Sequence, residues 1–511
     1  MSRLVVVSNR TSDPDSSAPG GLAVALNESL QQRGGIWFGW SGKLAEADGD
    51  PGHQEVQVRE YGNMELATID LSQRDYDAYY LGYANNVLWP VFHYRLDLAN
   101  FDVRFSEGYR RVNRLFARKL MPLLKPDDVI WVHDYHLIPL ATELRAQGCR
   151  NRIGFFLHIP VPPPQIMAAI PEHEWLMRSL FAYDLVGFQA HTDVTHFVRY
   201  AEAEANAQFI DGERLRAFDR TIRVGTFHTD VTHFVRYAEA EANAQFIDGE
   251  RLRAFDRTIR VGTFPIGIDV DGFAQMASDD DGLNIYEQMR DEYSRRKLLL
   301  GVDRLDYSKG LPQRVQAFRE MLDAFPDTRK QATLIQIAAP SREDVDAYGQ
   351  LRQEMDALCG SLNGDYGELD WMPVRYIHRS LDRSSLPGLY RASRVALVTP
   401  LRDGMNLVAK EFIAAQDGKD PGVLVLSRFA GAAEQLTDAL LVNPYDIQGT
   451  ARAIQAALTM PLEERVRRHT ALLAEIRKHD VHWWTASFLD ALDETGAARE
   501  RHQPRLVHSA A

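Results

Sequence analysis

Short apolar runs alternate with helical patterns along most of this chain, and this alternation constrains the fold more than any other feature. Runs such as Val129–His133, Leu298–Val302 and Val395–Thr399 are apolar almost throughout rather than at every second position. Continuous apolar strands are typical of parallel sheets covered by helices on both faces. The further runs are Leu4–Ser8, Trp37–Gly42, Arg152–His158, Leu185–Gln189, Thr333–Ala338, Val374–Ile377, Val423–Leu426 and Leu440–Val442. So many strands need two sheets, and 511 residues suffice for two large domains, so we expect an α/β fold with ligands at the carboxyl ends of the strands.

The stretch Leu298–Gly310 joins one of these strands to a loop with two cations. Arg304 and Lys309 stand five residues apart in it, and a proline follows where a helix would begin. A strand end, a cationic loop and a helix N-terminus form the usual phosphate site of α/β proteins. Alternatively, the loop is solvated and its cations pair with Asp303 and Asp306.

A second stretch repeats this arrangement. The strand Val395–Thr399 leads into the glycine-containing loop Pro400–Asn406, and the amphipathic helix Leu407–Gln416 follows, with Asn406 at the N-cap position. Glu411 lies one turn into this helix, where its carboxylate can accept hydrogen bonds from ribose hydroxyls, although it can also be an ordinary surface residue. Together the two stretches describe a nucleotide-diphosphate site.

The N-terminal half carries residues typical of a sugar site. Gly20 and Gly21 precede an apolar helix, although a plain tight turn is the simpler interpretation. The stretch Tyr79–Tyr94 is unusually aromatic, which fits either a core or a wall on which sugars stack. Asp134 follows a strand end, and His158 precedes a proline-rich loop. A carboxylate at a strand end favours a sugar hydroxyl, and the histidine is either structural or part of the site.

One segment is duplicated. His191–Phe227 and His228–Phe264 are identical, 37 residues each, and we interpret them as a tandem duplication because a solenoid needs about three repeats or more. Each copy contains one helix-like piece and one strand-like piece, and one copy completes the fold. The chain can use the helix of the first copy with the strand of the second, or either copy whole.

Composition excludes several classes of function. The net charge of −13 argues against nucleic acid and anionic membranes as partners, and no apolar run reaches the about 18 residues of a membrane helix. The two cysteines, Cys149 and Cys359, predict a reducing, cytoplasmic location, and we expect no signal peptide because the first strand begins without a long apolar run before it. No acidic cluster has convincing Mg²⁺ spacing, so we expect neither a metal nor another cofactor.

The motifs also carry a family resemblance. In order they read VVVSNR, GGLAVAL, WFGWSG, NVLWPVFHYR, WVHDYHL, RIGFFLHIP, PIGID, RLDYSKGL, TPLRDGMNLVAKE and NPYD. This set resembles glycosyltransferase family 20, the family of trehalose-6-phosphate synthases, over the chain to about Leu492, apart from one copy of the duplication. The resemblance implies the GT-B fold, two Rossmann-like domains that face a deep cleft.

The resemblance also implies a domain organisation and a reaction. Residues 1–264 would form the acceptor-binding domain, including the copies 191–227 and 228–264, and residues 265–478 the nucleotide-sugar domain. Residues 479–495 would be a helix that crosses back to the first domain, and 496–511 a disordered tail. The reaction would move glucose from UDP-glucose to glucose 6-phosphate with retention at the donor carbon, giving α,α-trehalose 6-phosphate and UDP. The protein would be a metal-independent homo-oligomer, with a tetramer as one form.

Site residues follow from the same resemblance. The acceptor glucose 6-phosphate would be bound by Arg10, Tyr80, Asp134 and Arg342, with Trp89 and His158 shaping its pocket. The donor would be bound by Gly20, Gly21, Arg304, Lys309, Leu381, Asp403, Leu407, Val408, Ala409, Lys410 and Glu411. The catalytic group would be Arg304, Lys309, Asp403, His158 and Trp89. One departure is Leu381, which stands where family members often carry Phe.

Three rival functions remain at the level of the sequence. A related transferase with another acceptor, such as glycerol 3-phosphate, is the nearest. A noncatalytic regulatory homologue should have lost one of Arg304, Lys309, Asp403 or Glu411, and all four are present. A dinucleotide oxidoreductase is disfavoured because the first strand is not followed by G-x-G-x-x-G.

Overall fold

The chain divides into two compact units. The computed structural model describes residues 2–11, 26–27, 30–31, 34–45, 55–204, 208–209, 214–217, 220–225, 250–254, 257–342 and 345–502, with side chains described outside 202–261 and 496–502. The first unit contains the described residues up to Phe264 and those from Thr485 onward, and the second contains Pro265–Trp484.

A single mixed sheet forms the centre of the first unit. Its strands are β1 (Leu4–Arg10), β2 (Gly35–Leu44), β3 (Gln57–Tyr61), β4 (Met64–Leu71), β5 (Val129–His133), β6 (Arg152–Phe156), β7 (Leu185–Phe188), β8 (Gln208–Phe209), β9 (Arg214–Ala217), β10 (Arg220–Gly225), β11 (Glu250–Ala254) and β12 (Arg257–Thr263). The strand order is β3-β4-β2-β1-β5-β6-β7-β12-β11-β10-β9-β8. From β4 through β12 neighbouring strands are parallel, and antiparallel strands extend both edges.

The second unit has a six-stranded sheet that is parallel throughout. Its strands are β13 (Lys297–Arg304), β14 (Ala332–Ala339), β15 (Val374–Ile377), β16 (Val395–Val398), β17 (Val423–Ser427) and β18 (Leu440–Val442). The order is β15-β14-β13-β16-β17-β18. All residues of β16 and β17 are buried, as expected for strands covered on both faces. The predicted α/β class with two sheets of parallel strands is confirmed.

Helices cover both sheets. In the first unit they are α1 (Gln73–Asp75), a π-helix (Tyr76–Leu88), α2 (Trp89–Phe92), α3 (Val103–Leu120), α4 (Leu140–Ala146), α5 (Pro164–Met167), α6 (His173–Ser179) and α7 (His191–Glu204). In the second they are α8 (Val270–Met276), α9 (Asp280–Glu292), α10 (Leu311–Ala324), α11 (Asp346–Tyr366), α12 (Ser385–Ala392), α13 (Leu407–Ala415), α14 (Ile447–Thr459) and α15 (Leu462–Lys478). The last helix is α16 (Val481–His502). Within the described residues, none of the helices combines the length and apolarity needed to cross a bilayer.

The last helix packs on the sheet of the first unit through one aromatic residue. The ring of Phe488 stacks on Trp131 with centroids 4.8 Å apart and meets Phe264 edge-on at 5.3 Å. Gly154 and Gly187 make room for it, since a Cβ atom on either would lie 2.7 Å from the ring. The helix runs to His502, past residue 496, where the sequence predicts disorder. Ala, Glu and Arg favour helix there, and residues 503–511 lie outside the described residues.

The duplicated segment is used in one of the three predicted ways. Helix α7 comes from the first copy, whereas β12, which pairs in parallel with β7, comes from the second. The sequence did not predict the strand that precedes β12 within the same copy. That strand, β11, forms a hairpin with β12, and β9 and β10 form the corresponding hairpin in the first copy. The helix-like piece of the second copy lies outside the described residues.

Candidate active site

The candidate residues lie where the strand order of each sheet reverses. In the first unit the reversal falls between β1 and β5, and Arg10 ends β1 while Asp134 follows β5. In the second unit it falls between β13 and β16, and Arg304 ends β13 while Asp403 lies in the loop after β16. Parallel sheets open a crevice at such a point, at the carboxyl ends of the strands. Each unit therefore presents predicted ligand-binding residues at its topological switch point.

An arginine and a tyrosine meet at one tryptophan in the first unit. The guanidinium carbon of Arg10 lies 5.8 Å from the ring centroid of Trp40, and the ring of Tyr80 lies 5.7 Å from the same indole. A Cβ atom on Gly42, which has φ +89°, would lie 2.6 Å from the Arg10 guanidinium, so the glycine gives that cation room. The indole of Trp40 thus has a cation and a phenol among its neighbours, a combination suited to a phosphate.

Tyr80 belongs to the π-helix, which the sequence did not predict. Its ring stacks on His136 at 5.9 Å with an interplanar angle of 12°. Trp89 follows the π-helix, is 5% exposed, and packs against His93 at 4.1 Å and Tyr135 at 5.8 Å. Extended π-helices are rare and are frequently found at functional sites. The aromatic stretch is thus mainly core, and Tyr80 and Tyr94 are its half-buried aromatic members.

Asp134 adopts an unusual backbone conformation. Its φ is +77°, a region that non-glycine residues seldom occupy, and its backbone N–H donates to Phe156 O at 2.8 Å. Its Oδ1 accepts a hydrogen bond from the backbone N–H of His158 at 3.2 Å. The conformation brings the carboxylate of Asp134 next to the strand end that carries His158.

His158 is held as a neutral imidazole. Burial lowers its pKa from 6.5 to about 3. Its Nε2 lies 3.1 Å from His133 Nδ1, and its Nδ1 lies 3.2 Å from Gln189 Nε2. Burial and the neighbouring His158 also hold the pKa of His133 well below its ordinary value. At neutral pH His158 therefore contributes a hydrogen-bonding ring and no charge.

In the second unit, the loop that carries Arg304 and Lys309 is hydrogen-bonded to the loop that carries Asp403. Lys309 Nζ donates to Asp403 Oδ2 at 2.5 Å, and the backbone N–H of Leu401 donates to Ser308 O at 2.7 Å. Gly310 ends the first loop with φ +64°, and a Cβ atom there would lie 2.5 Å from Thr399 O. The alternative pairing with Asp303 or Asp306 does not describe this contact, because Lys309 donates to Asp403, which is far away in the sequence.

Arg342, predicted for the acceptor phosphate, lies in the second unit, whereas Arg10, Tyr80 and Asp134 lie in the first. Its side chain is 8% exposed, and Nη1 donates to Asp306 Oδ2 at 3.0 Å and to the Tyr348 hydroxyl at 2.8 Å. Its φ of +47° is again unusual for a non-glycine residue. The sequence did not single out Tyr348, and only its tertiary position reveals it.

The start of α13 matches its prediction, but one detail differs. Leu407 is the first helical residue, yet Asn406, which has φ +79°, makes no side-chain capping bond, and its Nδ2 donates to Asp403 Oδ2 at 3.0 Å. Glu411 Oε2 accepts a hydrogen bond from the Tyr390 hydroxyl at 3.2 Å, and burial raises the pKa of Glu411. The half-buried carboxylate of Glu411 is thus matched to a hydrogen-bond donor.

The other residues predicted to bind the sugar donor occupy different positions. Leu407 and Val408 open the helix and are half-buried, and Ala409 is fully buried. The side chain of Lys410 faces the interior, where Nζ donates to Ile266 O and Gln435 Oε1 at 2.7 Å each. Leu381 lies in the loop after β15, and Gly20 and Gly21 lie outside the described residues. Among the described residues, no group of three or more His, Cys, Asp or Glu side chains is arranged to hold a metal ion.

Comparisons with known proteins place this geometry in a family. The model of glycosyltransferase family 20 matches residues 4–494. A trehalose-6-phosphate synthase from Sinorhizobium fredii is 48% identical over 96% of this chain and 98% of that protein. A trehalose-6-phosphate synthase from Klebsiella pneumoniae is 44% identical over 99% of this chain and 98% of that protein.

Solved structures agree with this placement. The α,α-trehalose-phosphate synthase (UDP-forming) from Burkholderia xenovorans in complex with glucose-6-phosphate is 44% identical, covers 96% of this chain and 100% of its own, and superposes with a TM-score of 0.85. A structure described as trehalose-6-phosphate from E. coli bound with UDP-2-fluoro glucose is 42% identical. It covers 96% of this chain and 99% of its own, and superposes with a TM-score of 0.84. The predicted GT-B class is thereby confirmed. The chain belongs to glycosyltransferase family 20.

Proposed function

We propose that this protein transfers glucose from UDP-glucose to glucose 6-phosphate, with retention at the donor carbon, to form α,α-trehalose 6-phosphate and UDP. The observation that carries the proposal is the Lys309–Asp403 contact, which brings the two most informative sequence motifs together at the switch point of the second sheet. The names of the relatives support it, since they are trehalose-6-phosphate synthases at 44–48% identity over nearly the whole chain.

In the proposed reaction the cations act on the leaving group. Arg304 and Lys309 hold the diphosphate of the donor and stabilise the charge that develops as the bond from glucose C1 to the phosphate oxygen breaks. Asp403 contacts the donor glucose, and Glu411 binds the ribose. The hydroxyl on C1 of the acceptor forms the new bond to the donor C1 and gives its proton to the departing diphosphate. Catalysis then rests on positioning and charge stabilisation, without a pair of catalytic carboxylates.

The acceptor is proposed to bind through its phosphate and its hydroxyls. Arg10 and Tyr80 both lie near Trp40, and Arg342 is proposed to supply a second guanidinium. Asp134 accepts from a sugar hydroxyl, and the neutral His158 and Trp89 shape the pocket. The low pKa of His158 supports a positioning role rather than proton transfer near neutral pH.

A UDP-release assay with a panel of acceptors tests the proposal. UDP-glucose is offered with glucose 6-phosphate, glycerol 3-phosphate or unphosphorylated glucose, each with and without EDTA. We expect UDP release with glucose 6-phosphate and little release with the other acceptors. EDTA should not lower the activity, because the side chains of Arg304 and Lys309, rather than a metal ion, hold the diphosphate. Faster release with glycerol 3-phosphate would favour the rival transferase, and loss in EDTA that Mg²⁺ restores would contradict metal independence.

We also propose a homo-oligomer in a reducing, cytoplasmic setting. Both cysteines of the chain, Cys149 and Cys359, are buried thiols, which supports a chain that folds without disulfides. Light scattering during size-exclusion chromatography measures the oligomer directly. A mass equal to the 57.9 kDa of one chain at assay concentration would contradict it.

A further inference from the structure

One buried arginine connects both loops of the donor site. Arg314 lies in the first turns of α10 and its side chain is 0% exposed, which is unusual for a guanidinium. The sequence pattern does not distinguish Arg314, because an arginine at the start of an amphipathic helix is ordinarily solvated.

The four groups that Arg314 contacts come from different parts of the site. Nη1 donates to Asp303 Oδ2 at 2.6 Å and to Gln336 Oε1 at 3.1 Å, which are on β13 and β14. Nε donates to Thr399 Oγ1 at 3.0 Å, directly before the loop that carries Asp403. Nη2 lies 3.4 Å from the carbonyl oxygen of Lys309 itself. One side chain thus reaches β13, β14, the residue that follows β16 and the backbone of a proposed catalytic lysine.

Loss of any one of these hydrogen bonds would leave a buried polar or charged group without a partner, which is costly in free energy. A buried charge without partners is strongly destabilising, and the Asp303 carboxylate, whose pKa is raised by burial, needs the guanidinium as much as the guanidinium needs it. The planar fork of arginine can serve three directions at once, whereas the ammonium of lysine is a point donor on a flexible stem. The network is therefore specific to arginine.

We propose that Arg314 is a positioning residue that sets the distance between the Arg304–Lys309 loop and the Asp403 loop. The proposal rests on the proposed function, because it is those loops that hold the diphosphate. Misplacement of a catalytic group by about 1 Å can cost about 100-fold in rate. Loss of the hydrogen bonds of Arg314 should therefore lower turnover and the affinity for UDP, and should change the affinity for glucose 6-phosphate much less, because Arg10, Tyr80 and Asp134 lie in the first unit.

The test uses Arg314→Lys and a matched control. Arg465→Lys changes another buried arginine of the second unit, which pairs with Asp420 at 2.6 Å just before β17, at the amino end of that strand. Melting temperature, UDP binding by calorimetry, glucose 6-phosphate binding and kcat are measured for both. We expect Arg314→Lys to lower kcat about 100-fold and to weaken UDP binding, and Arg465→Lys to lower only the melting temperature.

Three outcomes overturn the inference. They are an Arg314→Lys enzyme with kcat and UDP affinity within about threefold of wild type, an equal loss in Arg465→Lys, and equal weakening of both substrates. If Arg314→Lys does not fold, Thr399→Val serves as the second test, because it removes only the hydrogen bond from Arg314 Nε to Thr399 Oγ1. A wild-type kcat in Thr399→Val would then overturn the inference. If wild type binds UDP but does not turn over, the proposed function fails, and UDP binding alone still decides the role of Arg314.

Discussion

Lys309 and Asp403 are 94 positions apart in the chain, yet their side chains form a 2.5 Å contact in the candidate donor site. Sequence spacing offered Asp303 and Asp306 as partners for the cations of the loop, because both are close in the chain. The structure gives Asp303 to Arg314 and Asp306 to Arg342 instead. Strand ends and helix starts were predictable from local pattern, whereas the choice of ionic partner depends on which strands become neighbours.

The first prediction concerns the two cations. Arg304→Ala and Lys309→Ala should each lower kcat by about 100-fold or more, because each removes a charge-assisted contact to the leaving diphosphate. Lys419→Ala, at an exposed lysine of the same unit, is the control and should keep wild-type kcat. Steady-state UDP release measures all three. Near wild-type kcat with unchanged UDP affinity in either variant would show that the assignment is wrong.

The second prediction concerns the buried lysine of α13. Burial lowers the pKa of Lys410 from 10.5 to about 7, whereas the unfolded chain keeps this proton up to about pH 10.5. The unfolded state thus binds more protons between these values, so the contribution of Lys410 to stability rises with pH across this window and falls again toward pH 7.

Urea unfolding at about pH 7.5 and about pH 9.5 measures this contribution. Lys410→Met should show a smaller rise in stability between the two pH values than wild type. Lys419→Met, with its exposed side chain, should keep the wild-type rise. An identical rise in Lys410→Met and wild type would mean that Lys410 titrates normally.

At the scale of elements, the two copies of the duplication fold into the same hairpin. In the first copy Leu215 pairs with Ile222, and in the second Leu252 pairs with Ile259, which are the same positions of the repeat. Only β12 of the second copy pairs with β7, through residues that include Val261 opposite Val186. The helix and the slot were predictable from the sequence. The hairpin was not, because its first strand is short and rich in arginine.

Identical sequence around the two strands permits a matched comparison. Val261→Pro removes a backbone N–H from the strand beside β7, whereas Val224→Pro makes the same change in the other copy. We expect Val261→Pro to lower the melting temperature by several degrees more than Val224→Pro. Equal melting temperatures would mean that the two copies exchange places beside β7.

At the scale of the whole molecule, the family, the fold class and the two α/β units could be predicted from the sequence. Continuous apolar strands and the order of the motifs can be read directly from the chain, without knowledge of tertiary contacts. Three features were not. The strands β3 and β4, the π-helix around Tyr80 and the antiparallel edge of the first sheet lack a periodic signal strong enough to separate them from loops or ordinary helices.

The duplication itself yields the prediction at this scale. Deleting either copy produces the same protein, with one helix and one strand for the slot beside β7. Since loop-closure entropy grows only logarithmically with length, the surplus copy costs little, and its removal should leave activity equal or higher and raise the melting temperature slightly. Thermal unfolding and UDP release measure both. A deletion variant that fails to fold would show that both copies are structurally required.

Proton NMR of the reaction mixture tests the central claim most directly. Purified protein is incubated with UDP-glucose and glucose 6-phosphate, and the anomeric signals of the product are followed together with UDP. The account predicts one UDP released for each non-reducing disaccharide phosphate, with both anomeric protons in the α configuration. A β-linked or reducing product, or UDP released together with free glucose, would contradict it.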